Sequence, residues 1–106
     1  MEKINVSKFM GVLLAWLLIL KPCVGSAFIA MQGPGCKLPA HVFSICGNCF
    51  SIPTDYRAGY FFRYDEGQPV YLYNSDTCEG TPHTVLAEYT QDCTGFGWNN
   101  VYIGCP

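Results

Sequence analysis

Two groups of side chains in this sequence are candidates for a reactive or metal-binding centre. Cys46-Gly47-Asn48-Cys49 has the Cys-x-x-Cys spacing of a dithiol redox centre or of half a zinc site. Glu88, His83 and Arg63 are the residue types of a small secreted ribonuclease, one as base, another as acid and the third on the phosphate. A redox dithiol needs its first cysteine at a helix N-terminus, where the dipole lowers the thiol pKa. The residues after Cys49 are Phe50-Ser51-Ile52-Pro53, and Pro53 disfavours a helix there, restricting Ile52 as well. A structural zinc needs a second close pair of ligands, whereas His41, His83, Cys93 and Cys105 are scattered singly. The ribonuclease trio rests on residue types without geometry. The reading is therefore no enzyme, no metal and no cofactor, with Cys46 and Cys49 bonded to two distant partners in an oxidised compartment.

The start of the chain points to that compartment. Lys3 and Lys8, against Glu2, precede an apolar run from Phe9 to Leu20 that is broken only by Gly11. The run is 20 − 9 + 1 = 12 residues long, whereas a bilayer span needs about twenty. Small residues follow in Val24-Gly25-Ser26-Ala27. Residues 1–25 read as a secretory signal peptide, cleaved after Gly25 or Ala27, which leaves no membrane-spanning segment and an extracellular product. Of the seven cysteines, Cys23 lies before the cut. The even set left, Cys36, Cys46, Cys49, Cys78, Cys93 and Cys105, is the signal of three internal bridges. Residues 26–106 suffice for one domain, whose small core calls for covalent staples.

The apolar residues of the mature region fall in short runs rich in aromatic and β-branched types. They are Phe28-Ile29-Ala30-Met31, Val42-Phe43-Ser44-Ile45, Gly59-Tyr60-Phe61-Phe62-Arg63-Tyr64, Val70-Tyr71-Leu72-Tyr73, Val85-Leu86-Ala87-Glu88-Tyr89 and Val101-Tyr102-Ile103. Such runs predict strands of an all-β domain. Asp65-Glu66-Gly67-Gln68 is the expected hairpin connection between two of them, with Gly67 free to take a positive φ. An offset of 42 relates Cys36 to Cys78, His41 to His83 and Tyr60 to Tyr102, and it lays the Phe28 run on the Val70 run. Two related four-strand units, about 28–69 and 70–106, follow, each a Greek key and together a small sandwich or barrel.

Several motifs occur in order: Ser26-Ala27-Phe28, Gly33-Pro34-Gly35-Cys36, Cys46-Gly47-Asn48-Cys49, Gly59-Tyr60-Phe61-Phe62-Arg63-Tyr64, Leu72-Tyr73-Asn74, His83-Thr84 and Cys93-Thr94-Gly95-Phe96-Gly97-Trp98. Together they resemble the plant β-barrelins, small secreted antimicrobial proteins of the macadamia type. The resemblance spans the mature region. It implies a disulfide-stapled double Greek-key β-barrel of the crystallin and yeast-killer-toxin type, antifungal and antimicrobial activity in plant defence, secretion to the apoplast, and no catalytic centre. It also implies the bridges Cys36 with Cys93, Cys46 with Cys105, and Cys49 with Cys78. Six cysteines by themselves allow fifteen connectivities. Asn48 adds a residue to the single glycine expected between the two cysteines.

Charge separates this chain from typical cationic β-barrelins. Residues 26–106 hold Lys37, Arg57 and Arg63 against Asp55, Asp65, Glu66, Asp76, Glu79, Glu88 and Asp92, a formal 3 − 7 = −4. Such a chain is repelled by nucleic acid and by anionic headgroups. The expected partner is a neutral microbial or fungal cell-wall glycan, such as β-1,3-glucan, bound by a monomer. Alternation with Val70 and Leu72 inward turns Tyr71 and Tyr73 outward, and Val101 and Ile103 inward leave Tyr102 outward. These tyrosines, with Arg63 expected across the hairpin, are the candidate sugar-binding residues. Cross-strand packing is the competing fate of strand aromatics. An apoplastic signalling or inhibitor protein on the same scaffold is the alternative function.

Overall fold

The computed structural model describes residues 25–106. Eight strands follow in order: β1 (Ala27–Gly33), β2 (Lys37–Phe43), β3 (Cys49–Ser51), β4 (Gly59–Arg63), β5 (Val70–Tyr73), β6 (Thr84–Leu86), β7 (Thr90–Asp92) and β8 (Asn100–Ile103). They form two antiparallel four-stranded sheets, ordered β2-β1-β4-β7 and β3-β8-β5-β6. The third strand of each four-strand unit crosses over: β3 pairs with β8, and β7 pairs with β4. Replacing β1 to β4 by β5 to β8 turns one strand order into the other, which is the double Greek key.

Alternation builds the core. Phe28, Ala30, Tyr60 and Phe62 from the first sheet face Val70, Leu72, Val101 and Ile103 from the second, and all eight are buried. Phe28 is the hub: its ring stacks on Tyr60 with centroids 5.3 Å apart and meets Phe43, Phe96 and Trp98 at 6.3, 6.0 and 6.5 Å. Burial, and then the Asp92 carboxylate, push the Tyr60 hydroxyl above its ordinary pKa. Trp98 closes the cluster from a loop, its indole N–H donating to His83 Nδ1 at 3.1 Å.

Pairing refines the repeat. Ala30 lies opposite Tyr60, and Leu72 lies opposite Val101. The offset is 72 − 30 = 42 for β1 and β5 but 101 − 60 = 41 for β4 and β8, so Tyr60 corresponds to Val101 and not to Tyr102. Ala30 also lies opposite His41, and Leu72 opposite Thr84, which gives 84 − 41 = 43 for β2 and β6. His41 and His83 are therefore not equivalent. His41 rests on Phe43 and Tyr56, with centroids at 4.6 and 5.8 Å. A one-residue slip moves a side chain to the opposite face of a sheet, which is why Tyr60 is core and Tyr102 is not.

The 65–68 segment is a tight turn, with Gln68 N–H donating to Asp65 O at 3.0 Å and Gly67 at φ 83°. It is not the expected hairpin, because β4 and β5 belong to different sheets. Its backbone groups are satisfied by fully buried Ser26. The Ser26 hydroxyl donates to Gln68 O at 2.7 Å and accepts from Asp65 N–H at 2.7 Å, while Ser26 N donates to Gln68 Oε1 at 2.8 Å. Disulfides join Cys36 to Cys93, Cys46 to Cys105, and Cys49 to Cys78. Every one of them ties the first four-strand unit to the second.

Candidate functional site

The outer face of the second sheet carries one continuous row. Cys49 lies opposite Tyr102, Tyr102 opposite Tyr71, and Tyr71 opposite Val85. Strands β3, β5, β6 and β8 contain no charged residue. Tyr71 and Tyr102 are half-exposed, with ring centroids 6.1 Å apart, and Val85 is 50% exposed. The position is set from beneath: Val70, Leu72, Val101 and Ile103 are fixed in the core, so alternation leaves the two tyrosines outside. The equivalent row on the first sheet is Gln91, Phe61, Ile29 and Val42, with no tyrosine.

Beside Tyr102 the sheet drops into a groove of ≈ 460 Å³ lined by Cys49, Ser51, Asp76, Thr77, Cys78, Glu79, Asn100 and Tyr102. Its floor is β3 and β8, and its wall is the loop after β5, pinned by the Cys49–Cys78 bridge. Side chains of β8 and its approach hold that loop further: Asn100 Nδ2 donates to Ser75 O at 2.6 Å, and Asn99 Nδ2 donates to Asn74 O. The corresponding place on the first sheet is filled. Gly59 stands where Asn100 stands, and the Cys36–Cys93 bridge lies directly on it, so a Cβ there would sit 2.9 Å from Cys36 Sγ.

Two expected site residues are elsewhere. Tyr73 is only 7% exposed and so offers no free ring to a ligand. Alternation does turn it away from Leu72, but it is buried there together with Asn100, its partner on β8. Arg63 lies on β4 in the first sheet, opposite Ala27, with Nη2 donating to Gly25 O at 3.1 Å. The cause is the 65–68 turn, which passes between sheets and does not pair β4 with β5. Tyr71 and Tyr102 remain together, and the groove adds Ser51, Asp76, Thr77, Glu79 and Asn100. Sequence offered no handle on Asp76, Thr77 and Glu79, since residues 74–80 have no periodicity.

The ribonuclease trio is dispersed among separate contacts. His83 Nδ1 is engaged by Trp98 and by the Thr84 hydroxyl at 2.7 Å, Arg63 binds Gly25 O on the other sheet, and Glu88 uses its backbone carbonyl to accept from the Thr90 hydroxyl. None of the three hydrogen-bonds another. Among the described residues no group of three or more His, Cys, Asp or Glu side chains is placed to hold a metal ion.

Comparison with known proteins agrees with this architecture. Residues 26–105 match the family model described as MiAMP1. The chain is 41% identical over 81 residues to Antimicrobial peptide 1 of Macadamia integrifolia, covering 76% of each chain. It is 36% identical over 107 residues to Antimicrobial peptide 1 of Pinus monticola, covering 99% of this chain and 100% of the relative. The solution structure of MiAMP1, a plant antimicrobial protein, superposes with a TM-score of 0.65 at 39% identity, over 74% of this chain and 99% of that one. Family model, relatives and fold converge, and the chain belongs to the MiAMP1 family.

Proposed function

We propose that the protein is a secreted plant defence protein that inhibits fungi or bacteria by binding an uncharged cell-wall polysaccharide, β-1,3-glucan first, on the outer face of its second sheet. The antimicrobial relatives support the defence role. The apolar leader followed by small residues, together with the three disulfides, supports secretion.

The observation that carries the binding mode is the Tyr71–Tyr102 pair. Two half-exposed rings stand side by side on strands without a charge, next to a groove of hydroxyl, carboxamide and carboxylate groups. A pyranose has an apolar C–H face and a rim of hydroxyls, so a flat ring beside hydrogen-bonding groups matches both. With a formal −4 over residues 26–106, attraction to phosphate or anionic lipid contributes nothing.

The test is binding of the mature protein to insoluble β-1,3-glucan across salt concentrations. Contacts without net opposite charges are weakly screened, so retention persists from low salt to several times physiological. Tyr71→Ala and Tyr102→Ala each lower it while the fold survives by circular dichroism. Binding to anionic vesicles at low salt, without glucan binding, overturns the proposal.

A further inference from the structure

Trp98 is held at its rim by a side chain that changes charge near neutral pH. We infer that His83 is a pH-sensitive latch on Trp98: the neutral imidazole holds the indole down over the aromatic cluster, and the imidazolium releases it.

The bond fixes the tautomer. An indole N–H only donates, so His83 Nδ1, which takes it at 3.1 Å, is the unprotonated ring nitrogen, and the neutral ring carries its proton on Nε2. The Thr84 hydroxyl lies 2.7 Å from the same Nδ1. A second proton has only Nδ1 to go to. There it points at Thr84 Oγ1, which turns to accept it, and the Trp98 N–H is left facing a donor. The indole offers His83 its N–H rim, the positive edge of the π system, so the cation finds no attractive ring face in exchange.

The chain around Trp98 is fixed on both sides and loose next to it. Cys93 is bridged to Cys36, and Thr94 is bonded to Asp92 Oδ1. Phe96 N–H donates to Arg57 O at 3.0 Å; beyond Trp98, Asn99 N–H donates to Tyr73 O and Asn99 O accepts from Ile52 N–H, both at 2.8 Å. Between these anchors a Cβ at Gly97 would meet nothing within 4 Å beyond its chain neighbours, so this freely turning residue is the hinge. Beneath the indole lie Phe96, Tyr60 and Phe28, with centroids at 4.9, 5.4 and 6.5 Å. Release uncovers those rings at the end of the core.

The groups facing the latch leave His83 as the one that switches. From β4 comes the Tyr60 hydroxyl, pushed above its ordinary pKa by burial and then by Asp92, and so neutral. From β7 comes Asp92, held below its ordinary value by Thr94, and so ionised. β1 supplies Phe28, β5 supplies Leu72 O, which accepts from His83 N–H at 2.8 Å, and β6 supplies Thr84, none of which titrates. Glu79 and Glu88, the acids nearest to His83 in sequence, take no hydrogen bond from its ring. His41 sits apart, on Phe43 and Tyr56.

Trp16 lies in the leader, so Trp98 is the one tryptophan of residues 26–106 and reports on itself. The disulfide-intact mature protein is followed by NMR and by fluorescence from about pH 8 to about pH 5, the range in which imidazole changes charge. At the upper end the His83 ring should carry its proton on Nε2; a proton on Nδ1 overturns the latch. On acidification the hydrogen exchange of the Trp98 N–H, corrected for its intrinsic pH dependence, is expected to rise about fivefold, the worth of one net hydrogen bond. Trp98 emission shifts to the red while far-UV circular dichroism stays unchanged. The rise and the His83 ring shifts should share one midpoint, a requirement that the wild-type protein tests without any variant. His83→Gln, uncharged throughout, abolishes the transition, and His41→Gln keeps it. Unchanged protection, separate midpoints, a transition that persists in His83→Gln or vanishes in His41→Gln, or loss of the far-UV signal in step with exchange each overturns the latch.

Discussion

Removing the disulfides one at a time tests how tightly the two halves are interlocked. Sequence separation alone ranks them: Cys46–Cys105 and Cys36–Cys93 close loops of 59 and 57 residues, and Cys49–Cys78 closes one of 29. In the chain-entropy model those loops are worth about 4.3, 4.2 and 3.6 kcal/mol at 25 °C. The bridges are not independent, however, because each also joins the two units. With Cys46–Cys105 intact, Cys36 stays tethered to Cys93 by a detour of 46 − 36 on one side and 105 − 93 on the other, about 22 residues in all. The same detour, run the other way, tethers Cys46 to Cys105 when their own bridge is cut. For Cys49–Cys78 the detour through Cys36–Cys93 is 49 − 36 and 93 − 78, about 28 residues, no shorter in effect than its own loop. The single removals then cost about 3.4, 3.4 and 3.6 kcal/mol, so the twofold difference in sequence separation disappears. Paired Cys→Ser variants, unfolded in guanidinium with the slope fitted for each, give the three values. If loss of Cys46–Cys105 costs about 0.7 kcal/mol or more beyond loss of Cys49–Cys78, the nested-loop reasoning is refuted and sequence separation governs.

Three further outcomes follow from the packing. Phe28→Ala empties the hub of the aromatic cluster and is expected to lower stability by about 3–5 kcal/mol, measured by guanidinium unfolding. Gly59→Ala places a methyl 2.9 Å from Cys36 Sγ and 3.1 Å from Asp92 O; a loss of about 1–3 kcal/mol is expected, with free thiol appearing at Cys36 and Cys93 on titration of the refolded protein. The Thr94 hydroxyl and N–H, bonded to Asp92 Oδ1 at 2.6 and 2.9 Å, hold the Asp92 carboxyl below its ordinary value of 3.8. A depressed folded-state pKa contributes stability at pH above the ordinary value, and that contribution is lost as pH falls through the folded-state value. An NMR titration of Asp92 should therefore move upward in Thr94→Val.

Six of the eight strands were visible in the sequence as apolar runs, and Val70–Tyr73 coincides with β5 to the residue. The two that were not, β3 (Cys49–Ser51) and β7 (Thr90–Asp92), are the strands that cross between sheets. Each is three residues long and owes its conformation to the neighbour it pairs with, β8 or β4, so no local periodicity records it. β2 extends five residues before the apolar run at Val42, through Lys37 to His41, because Pro39 is tolerated on a sheet edge and the strand's exposed face needs no apolar pattern. The tyrosine pair was legible through alternation from Val70, Leu72, Val101 and Ile103. The burial of Tyr73, the distance of Arg63 from that face and the acidic wall of the groove were not, since all three depend on how connections run outside the sheets.

The buried Ser26 has a consequence for the order in which the chain could be written. Ser26 stands at the head of β1 and holds the 65–68 turn by three hydrogen bonds, while Pro106, beyond β8, lies so close that a Cβ on Gly67 would meet it at 3.2 Å. The start of the first unit, the end of the second and the link between them thus share one corner of the molecule. Joining Pro106 to Ser26 through a short linker and opening the chain at Gly67 would make the second unit the first without displacing a strand or a disulfide. A circular permutant of that kind should refold to the same two sheets, and the order of the halves is then a property of the gene and not of the fold.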